Sequence, residues 1–236
     1  MNPSSLIGVG LYSVREVSRL TGVPASHIRR WAFGLKRKYK NREVFDQPVW
    51  KTEISAEGSR GLGFHDLLEI RFIHAFKSHG VSLQAIRQAS RNASELFDSD
   101  HPFTCQQFRT DGKSIFADLI ADDQFEDDDA LIDLVRKQYV FEKVVSPSLY
   151  AGIEYSDSGA AALWWPDKTD HVVLDPKRAF GKPIDPDTGV PTEVLYQAFL
   201  IEEDRSVVAS LYGVSKAALD AAIRFESRIE RGAVLH

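Results

Sequence analysis

Residues 26–42 carry Arg29, Arg30, Lys36, Arg37, Lys38, Lys40 and Arg42, and no Asp or Glu interrupts them. Such a run suits phosphate. Each cation that neutralises a phosphate releases counterions, which gives strong, salt-dependent and mostly sequence-blind attraction to nucleic acid. Reading a base sequence needs side chains that reach base edges, and Ser26, His27 and Arg30, at the start of a short helix, are placed for that. A second group is acidic: Asp122, Asp123, Glu126, Asp127, Asp128 and Asp129 lie in one short stretch. Carboxylates at that density suit a solvated loop, and they can also stand in for phosphate and associate quickly with a basic protein cleft.

Other chemistry is poorly supplied. His65 and Glu69 stand four apart, which would put two metal-ligating side chains on one helical face, whereas His74 and His79, five apart, do not share one. Scattered histidines of this kind serve surfaces and caps, so no metal site is expected. Cys105 is the single cysteine, which excludes a disulfide framework and a multi-cysteine metal site and fits a reducing cytosol. No Gly-x-Ser-x-Gly elbow, P-loop or Gly-x-Gly-x-x-Gly occurs, and Gly58-Ser59-Arg60-Gly61-Leu62-Gly63 lacks the Lys-Ser/Thr of a phosphate loop. The Asp-rich stretch would hold Mg²⁺ for catalysis only if rigid elements paired its carboxylates. A binding protein without a cofactor is expected, not an enzyme. Trp164-Trp165 could stack on a base or small ligand, and between two strand-like runs the pair suits a core or an interface.

The elements that must position these groups follow from spacing. Ser13 with Glu16 three residues on makes a capping box, and Val14, Val17 and Leu20 fall on one face of the helix it opens. Gly22 suits a left-handed turn, and Pro24 suits the first turn of a second helix that buries Ile28 and Trp31 and ends near Gly34. Residues 35–63 carry the β-formers Val44-Phe45 and Val49–Thr52 among glycines, a candidate hairpin or wing. Leu67, Ile70, Ile73 and Phe76 space along a third helix that Gly80 ends, and Ser82 opens a fourth with Leu83, Ile86 and Ala89. The polar break at residues 98–103 reads as a boundary. Beyond it Asp111-Gly112 predicts a hairpin between residues 104–109 and 113–120, and strand-like runs recur at 139–145, 149–155, 160–165 and 171–174. Residues 192–230 are helical, with Thr192 as a cap and Tyr212-Gly213-Val214-Ser215 joining a second helix-turn-helix.

Charge divides along the same lines. The formal net charge of -5 splits into +8 for residues 1–93, with 15 Lys/Arg against 7 Asp/Glu, and -13 for residues 94–236, with 14 against 27. A basic module that meets polyanions joined to an acidic one that does not is the expected organisation. At 43% apolar and 27% charged, the chain can build packed cores. No apolar run approaches the ~18 residues of a membrane span, and MNPSSLIGVG lacks the basic and apolar regions of a secretory signal. A cytoplasmic protein with no membrane partner is expected.

Leu11-Tyr12-Ser13-Val14-Arg15-Glu16-Val17, Leu20-Thr21-Gly22-Val23 and His27-Ile28-Arg29-Arg30-Trp31, then Phe64-His65-Asp66-Leu67 and Gly80-Val81-Ser82-Leu83-Gln84-Ala85-Ile86, resemble the winged helix-turn-helix of MerR-type regulators. The resemblance spans about residues 10–92 and implies operator-DNA binding, with Arg29 as the recognition-helix arginine. The chain departs from that family in its longer 34–64 connection and in lacking a long coiled-coil helix after residue 97. Val172-Val173-Leu174-Asp175-Pro176, Gly181-Lys182-Pro183-Ile184 and Thr188-Gly189-Val190-Pro191-Thr192, followed by helices ending Ala221-Ala222-Ile223-Arg224-Phe225-Glu226, resemble a domain of VapB-like antitoxins that accompany PIN-like ribonuclease toxins. Where that family has Gly-Thr-Arg before its Pro, this chain reads Thr188-Gly189-Val190.

The expected fold is α+β. A winged helix-turn-helix occupies residues 1–97, a β-rich segment 98–170 and a small helical domain with a second helix-turn-helix 171–236. The resemblances imply a type II antitoxin that binds double-stranded operator DNA as a homodimer to repress its own transcription. It would use Ser26, His27, Arg29, Arg30, Lys36, Arg37, Lys38, Lys40 and Arg42, and would block a PIN-like ribonuclease toxin through its acidic surface. The other reading is a MerR-like regulator whose β-rich middle binds a small effector beside Trp164 and Trp165.

Overall fold

A computed structural model of the chain describes residues 8–39, 42–54, 61–109, 112, 149–167 and 171–234. The Ser13 side chain accepts from the Glu16 N–H while Glu16 reaches back to the Ser13 N–H, which closes the capping box of α1 (Val14–Thr21). Gly22 turns the chain at φ 71°, a left-handed value open to glycine, and α2 (Ala25–Phe33) follows with Pro24 at its cap. Gly34, at φ 74°, leads into an antiparallel hairpin of β1 (Leu35–Tyr39) and β2 (Arg42–Asp46), in register Lys36↔Phe45 and Lys38↔Glu43. Val49–Thr52, expected as a strand, instead ties the hairpin to the helices: the Val49 N–H donates to the Trp31 carbonyl at 2.8 Å.

Two 15-residue helices complete the N-terminal unit, α3 (Phe64–Ser78) and α4 (Leu83–Phe97), the latter capped by Ser82. On α3, Phe64, Leu67, Leu68, Ile70, Phe72, Ile73 and Phe76 are all buried, so this helix is the centre of the core. Asp66 in its first turn is buried with them. Its carboxylate accepts from the Trp50 indole N–H at 2.7 Å, the Gly63 N–H at 2.8 Å, the Glu53 N–H at 3.1 Å and a His101 ring nitrogen at 2.8 Å. A buried carboxylate needs that many donors to be tolerated away from water.

Residues 104–109 are not a strand. Pro102–Thr104 forms a 3-10 turn and residues 106–109 are helical. Phe103 and Phe108 both pack on Phe76, with ring centroids at 5.0 and 6.3 Å. In a strand, side chains an odd number apart point to opposite faces, so only a coiled segment brings both rings to one helix. Asp111 and residues 113–148, including the run at 139–145 and the acidic group Asp122–Asp129, lie outside the described residues.

The middle supplies β3 (Ile153–Tyr155) and β4 (Ala161–Asp167), and the next segment supplies β5 (Val172–Leu174) and β6 (Pro183–Ile184), all in one four-stranded antiparallel sheet of order β3-β4-β5-β6. Its inner face joins the core of the N-terminal helices, because Ile153, Trp164 and Leu174 pack in the same cluster as Trp31 and Phe76. Packing therefore crosses residues 97 and 170. Three helices follow: α5 (Thr192–Glu202), α6 (Arg205–Tyr212) and α7 (Lys216–Val234). Pro191, not Thr192, occupies the cap of α5, and the Thr192 hydroxyl turns inward to Glu226 on α7. Asp204 caps α6, and Gly213 at φ 64° turns into α7. Arg205 on α6 bonds Asp220 on α7 at 2.8 Å and covers the Phe199 ring of α5. Among the described residues no single helix is long and apolar enough to cross a membrane.

His65 joins the helical unit to the sheet. One ring nitrogen meets Glu53 Oε1 at 2.7 Å and the other meets the Ala161 carbonyl at 3.0 Å. Both neighbours are acceptors, so the ring fits best as an imidazolium that donates twice. Burial opposes the charge, but Glu53 and Ala161 outweigh it and raise the pKa above the usual 6.5.

Two outcomes follow. Asp66→Ala leaves the Trp50 indole and two backbone N–H groups without an acceptor and destabilises the protein by about 3 kcal/mol or more, read from the denaturant midpoint. A raised folded pKa gives stability that is full below the unfolded value and is lost as pH rises through the folded value. The stability gap between the native chain and His65→Asn should therefore narrow from pH 6 to pH 9, and a widening gap contradicts the imidazolium.

Candidate nucleic-acid interface

The α2 helix has two faces. Ile28, Trp31 and Ala32 are buried and hold it to α1 and α3, while Ser26, His27, Arg29 and Arg30 are exposed. His27 stacks on Trp31, with centroids 5.4 Å apart, so its ring lies along the helix. Of the hairpin cations, Lys36, Arg37, Lys38 and Arg42 are exposed, and Lys40 lies outside the described residues. Strand alternation puts Lys36 and Lys38 on one face of the hairpin with Phe45, and Arg37 on the other with Val44. The expected residues thus divide between a helix and a wing.

One acid fixes the two relative to each other. Asp46, at the end of β2, accepts from Arg30 on α2 at 3.3 Å and from Arg37 on β1 at 3.1 Å. Gly34 makes the junction possible, since a Cβ there would collide with the Asp46 carbonyl and the Phe45 ring. Asp46 lies just past the acid-free run, and spacing gives no sign that it folds back on that run. Two further cations, outside the expected set, stand nearby. Arg87 on α4 donates to the Gln47 carbonyl at 2.7 Å, and Arg91, one turn on, bonds Gln88. Burial lowers the Arg87 pKa; Asp46 opposes this, and Arg30 and Arg91 add to it, so these groups share one neighbourhood. Their i,i+4 spacing along α4 is the signal that could have found them.

The second helix-turn-helix lies against the first. The Tyr12 hydroxyl donates to the Gly181 carbonyl at 2.5 Å, and the Leu11 N–H donates to the Phe180 carbonyl at 2.9 Å. Gly181 adopts φ 81°, and a Cβ there would meet the Tyr12 hydroxyl, which accounts for the glycine before Lys182-Pro183. Gly189 also adopts a positive φ, 78°. Arg19 on α1 reaches Glu226 on α7 at 3.5 Å and Glu193 on α5 at 4.0 Å, and Leu20 packs with Val172, Phe225 and Ile229. Burial raises the Glu226 pKa against Thr192 and Arg19, which favour its charge. Away from this seam, Leu200 and Ile201 on α5 and Val207 and Leu211 on α6 are exposed on either side of the acidic link Glu202-Glu203-Asp204.

The metal pair read from His65 and Glu69 is not brought together. His65 turns to Glu53, and Glu69 is buried under Phe103, whose N–H it accepts at 3.4 Å. Carboxyl and imidazole atoms of Glu53, Asp66 and His101 do lie within 4.8 Å of one another. The Asp66 and His101 atoms of that group are engaged in the hydrogen bonds at the start of α3.

Residues 10–90 match a family described as "Putative DNA-binding HTH domain". The chain is 30% identical over 230 residues to "Putative antitoxin VapB45" of Mycobacterium tuberculosis, across 90% of this chain and 94% of that protein. It is also similar to the crystal structure of Rv2018 from Mycobacterium tuberculosis, with a TM-score of 0.69 and 26% identity, over 92% of this chain and 99% of that one.

The junction between helix and wing is open to test without any ligand. Gly34→Ala combines a left-handed backbone with a collision at Asp46 and should lower stability by about 1–3 kcal/mol. Asp46→Ala breaks exposed ion pairs and should cost under about 1 kcal/mol. Thermal unfolding of the two variants checks that order.

Proposed function

The chain belongs to the family of the putative antitoxin VapB45, and on that premise we propose that it is a type II antitoxin that binds its own operator and neutralises a ribonuclease toxin. The observation that carries this reading is an identity that runs across both ends of the chain, the DNA-binding helix-turn-helix and the C-terminal helices. In this reading α2 enters a major groove and presents Ser26, His27, Arg29 and Arg30 to base edges. The wing cations Lys36, Arg37, Lys38, Lys40 and Arg42 hold phosphates on either side. Asp46 keeps Arg30 and Arg37 in one plane of approach. The chain binds as a homodimer on a two-fold site, in the manner of MerR-like winged helices, and represses transcription there. It acts in the cytoplasm, by binding and not by catalysis.

The toxin is a PIN-like nuclease with a basic RNA cleft, and acidic groups of this chain meet it. One is the group Asp122, Asp123, Glu126, Asp127, Asp128 and Asp129. The exposed stripe of Leu200, Ile201, Val207 and Leu211, with Glu202, Glu203 and Asp204 between its two parts, supplies an apolar contact rimmed by the same charge. Functionally the reading assigns residues 1–97 to DNA, and residues 98–170 and 171–236 to the protein partner.

A gel shift with the chain's own promoter region tests the DNA half. Sequence-specific binding should weaken steeply with salt. Lys36→Ala together with Lys38→Ala should lower affinity on every sequence and reduce the salt slope by roughly 0.9 for each phosphate that is no longer neutralised. Arg30→Ala should instead relax the preference for promoter over unrelated DNA. Co-purification with a nuclease encoded beside it, and loss of that nuclease's activity on RNA, test the other half. Promoter binding that ignores salt, or a neighbouring nuclease left fully active, contradicts the proposal.

A further inference from the structure

Buried polar atoms in folded proteins almost always have hydrogen-bond partners, so those that do not call for an occupant. Among the described residues the Tyr150 hydroxyl, the Tyr155 hydroxyl and the Trp164 indole N–H are buried without one. Tyr155 acts electrostatically on Tyr150, and Arg71 on Tyr155. The register Ile153↔Trp164 puts Trp164 on the inner face of the sheet, and Tyr155, past a register shift, packs against the same core cluster. Arg71 of α3 lies over the Trp164 ring, its guanidinium carbon 5.1 Å from the ring centroid. The same guanidinium donates to the Leu149 carbonyl at 2.7 Å, next to Tyr150, whose ring packs 4.9 Å from Phe72.

The charge at this place is unbalanced. Burial lowers the Arg71 pKa to about 10, and the influence that opposes it comes from Tyr155. Among the described residues no carboxylate pairs with Arg71. Glu69, two residues away, forms no ion pair with it: burial pushes the Glu69 carboxyl well above its usual range, and its Oε2 is also without a partner. Both phenols and the indole are donors there. A partly buried cation beside unsatisfied donors is complementary to a ligand that only accepts.

We propose that Arg71, Tyr150, Tyr155 and Trp164 form a binding site for a small oxyanion, a carboxylate or a phosphate, between α3 and the inner face of the sheet. Arg71 supplies the charge and a planar fork, and the phenols and the indole N–H supply the remaining donors. The Trp164 face under the guanidinium keeps that cation in place. Trp165 takes no part, because its indole N–H is engaged by Glu154 at 2.7 Å. The site is independent of the reading as an antitoxin and stands or falls on its own test.

The test uses the full chain and follows unfolding temperature and tryptophan fluorescence. Sodium acetate, sodium benzoate and inorganic phosphate are compared with sodium chloride at matched ionic strength, which separates carboxylate from phosphate. At least one anion should raise Tm saturably and change the fluorescence, and Arg71→Met should abolish both effects. Tyr155→Phe is the safer variant. It removes an unpartnered hydroxyl, so stability in chloride should not fall, while the anion's affinity falls about tenfold. A saturable response that survives both substitutions places the ion elsewhere and overturns the proposal. So does the lack of any saturable response, since the donors then hold only water. A loss of stability for Tyr155→Phe in chloride would show that the hydroxyl is partnered within the chain, and overturns it as well.

Discussion

The Asp66 carboxylate sits at the start of the most buried of the described helices and gathers hydrogen bonds from three separate parts of the chain. The Trp50 indole and the Glu53 N–H come from the segment that returns from the wing, the Gly63 N–H from the turn into α3, and the His101 ring from beyond α4. Each donor would be costly to bury alone, and the carboxylate would be costlier still. Together they fix where the wing ends and α3 begins. The position of the basic hairpin on α2 depends on that arrangement, because the Val49 N–H and Arg87 hold the intervening segment to α2 and α4. The α3 helix then carries the sheet on its other side, through Phe72, Arg71 and the ring of Trp164.

The two helix-turn-helix units differ in the surfaces they leave free. The first leaves cations exposed on α2 and the hairpin. The second places α7 against α1, with Glu226 shared between Arg19 and Thr192 and with Phe225 against Leu20. Its remaining exposed side carries the apolar Leu200, Ile201, Val207 and Leu211 with charges of both signs, among them Glu202, Glu203, Asp204, Lys216 and Arg231. Such a mixed surface attracts a phosphate backbone less than the cations of the first unit do. Among the described residues, the basic helix-turn-helix and the C-terminal helices are thus packed on each other through α1 and α7.

Local signals in the sequence translate well. The capping box at Ser13, the turn glycines at 22, 34 and 80, and the apolar spacing of α2, α3 and α4 all fall where short-range rules place them. So do the positive φ angles of Gly181 and Gly189. What spacing does not show is who meets whom over long separations. Asp-Gly after a β-like run predicts a hairpin, but Phe103 and Phe108 are drawn onto Phe76 and residues 106–109 coil as a result. Arg30 and Arg37 read as free phosphate ligands, whereas each also bonds Asp46. Periodicity pairs His65 with Glu69, yet the ring is claimed by Glu53 and Ala161, 12 and 96 residues away. The boundaries expected at 97 and 170 follow composition, while the core takes apolar side chains from both sides of each.

Hydrogen exchange of the full chain, with and without its own promoter DNA, tests the central claim most directly. The account predicts DNA-dependent protection over α2 and the β1–β2 hairpin, residues 25–46, with α5 and α6 left unchanged. Protection confined to residues 192–234, or none at all at DNA concentrations that saturate binding, would contradict it.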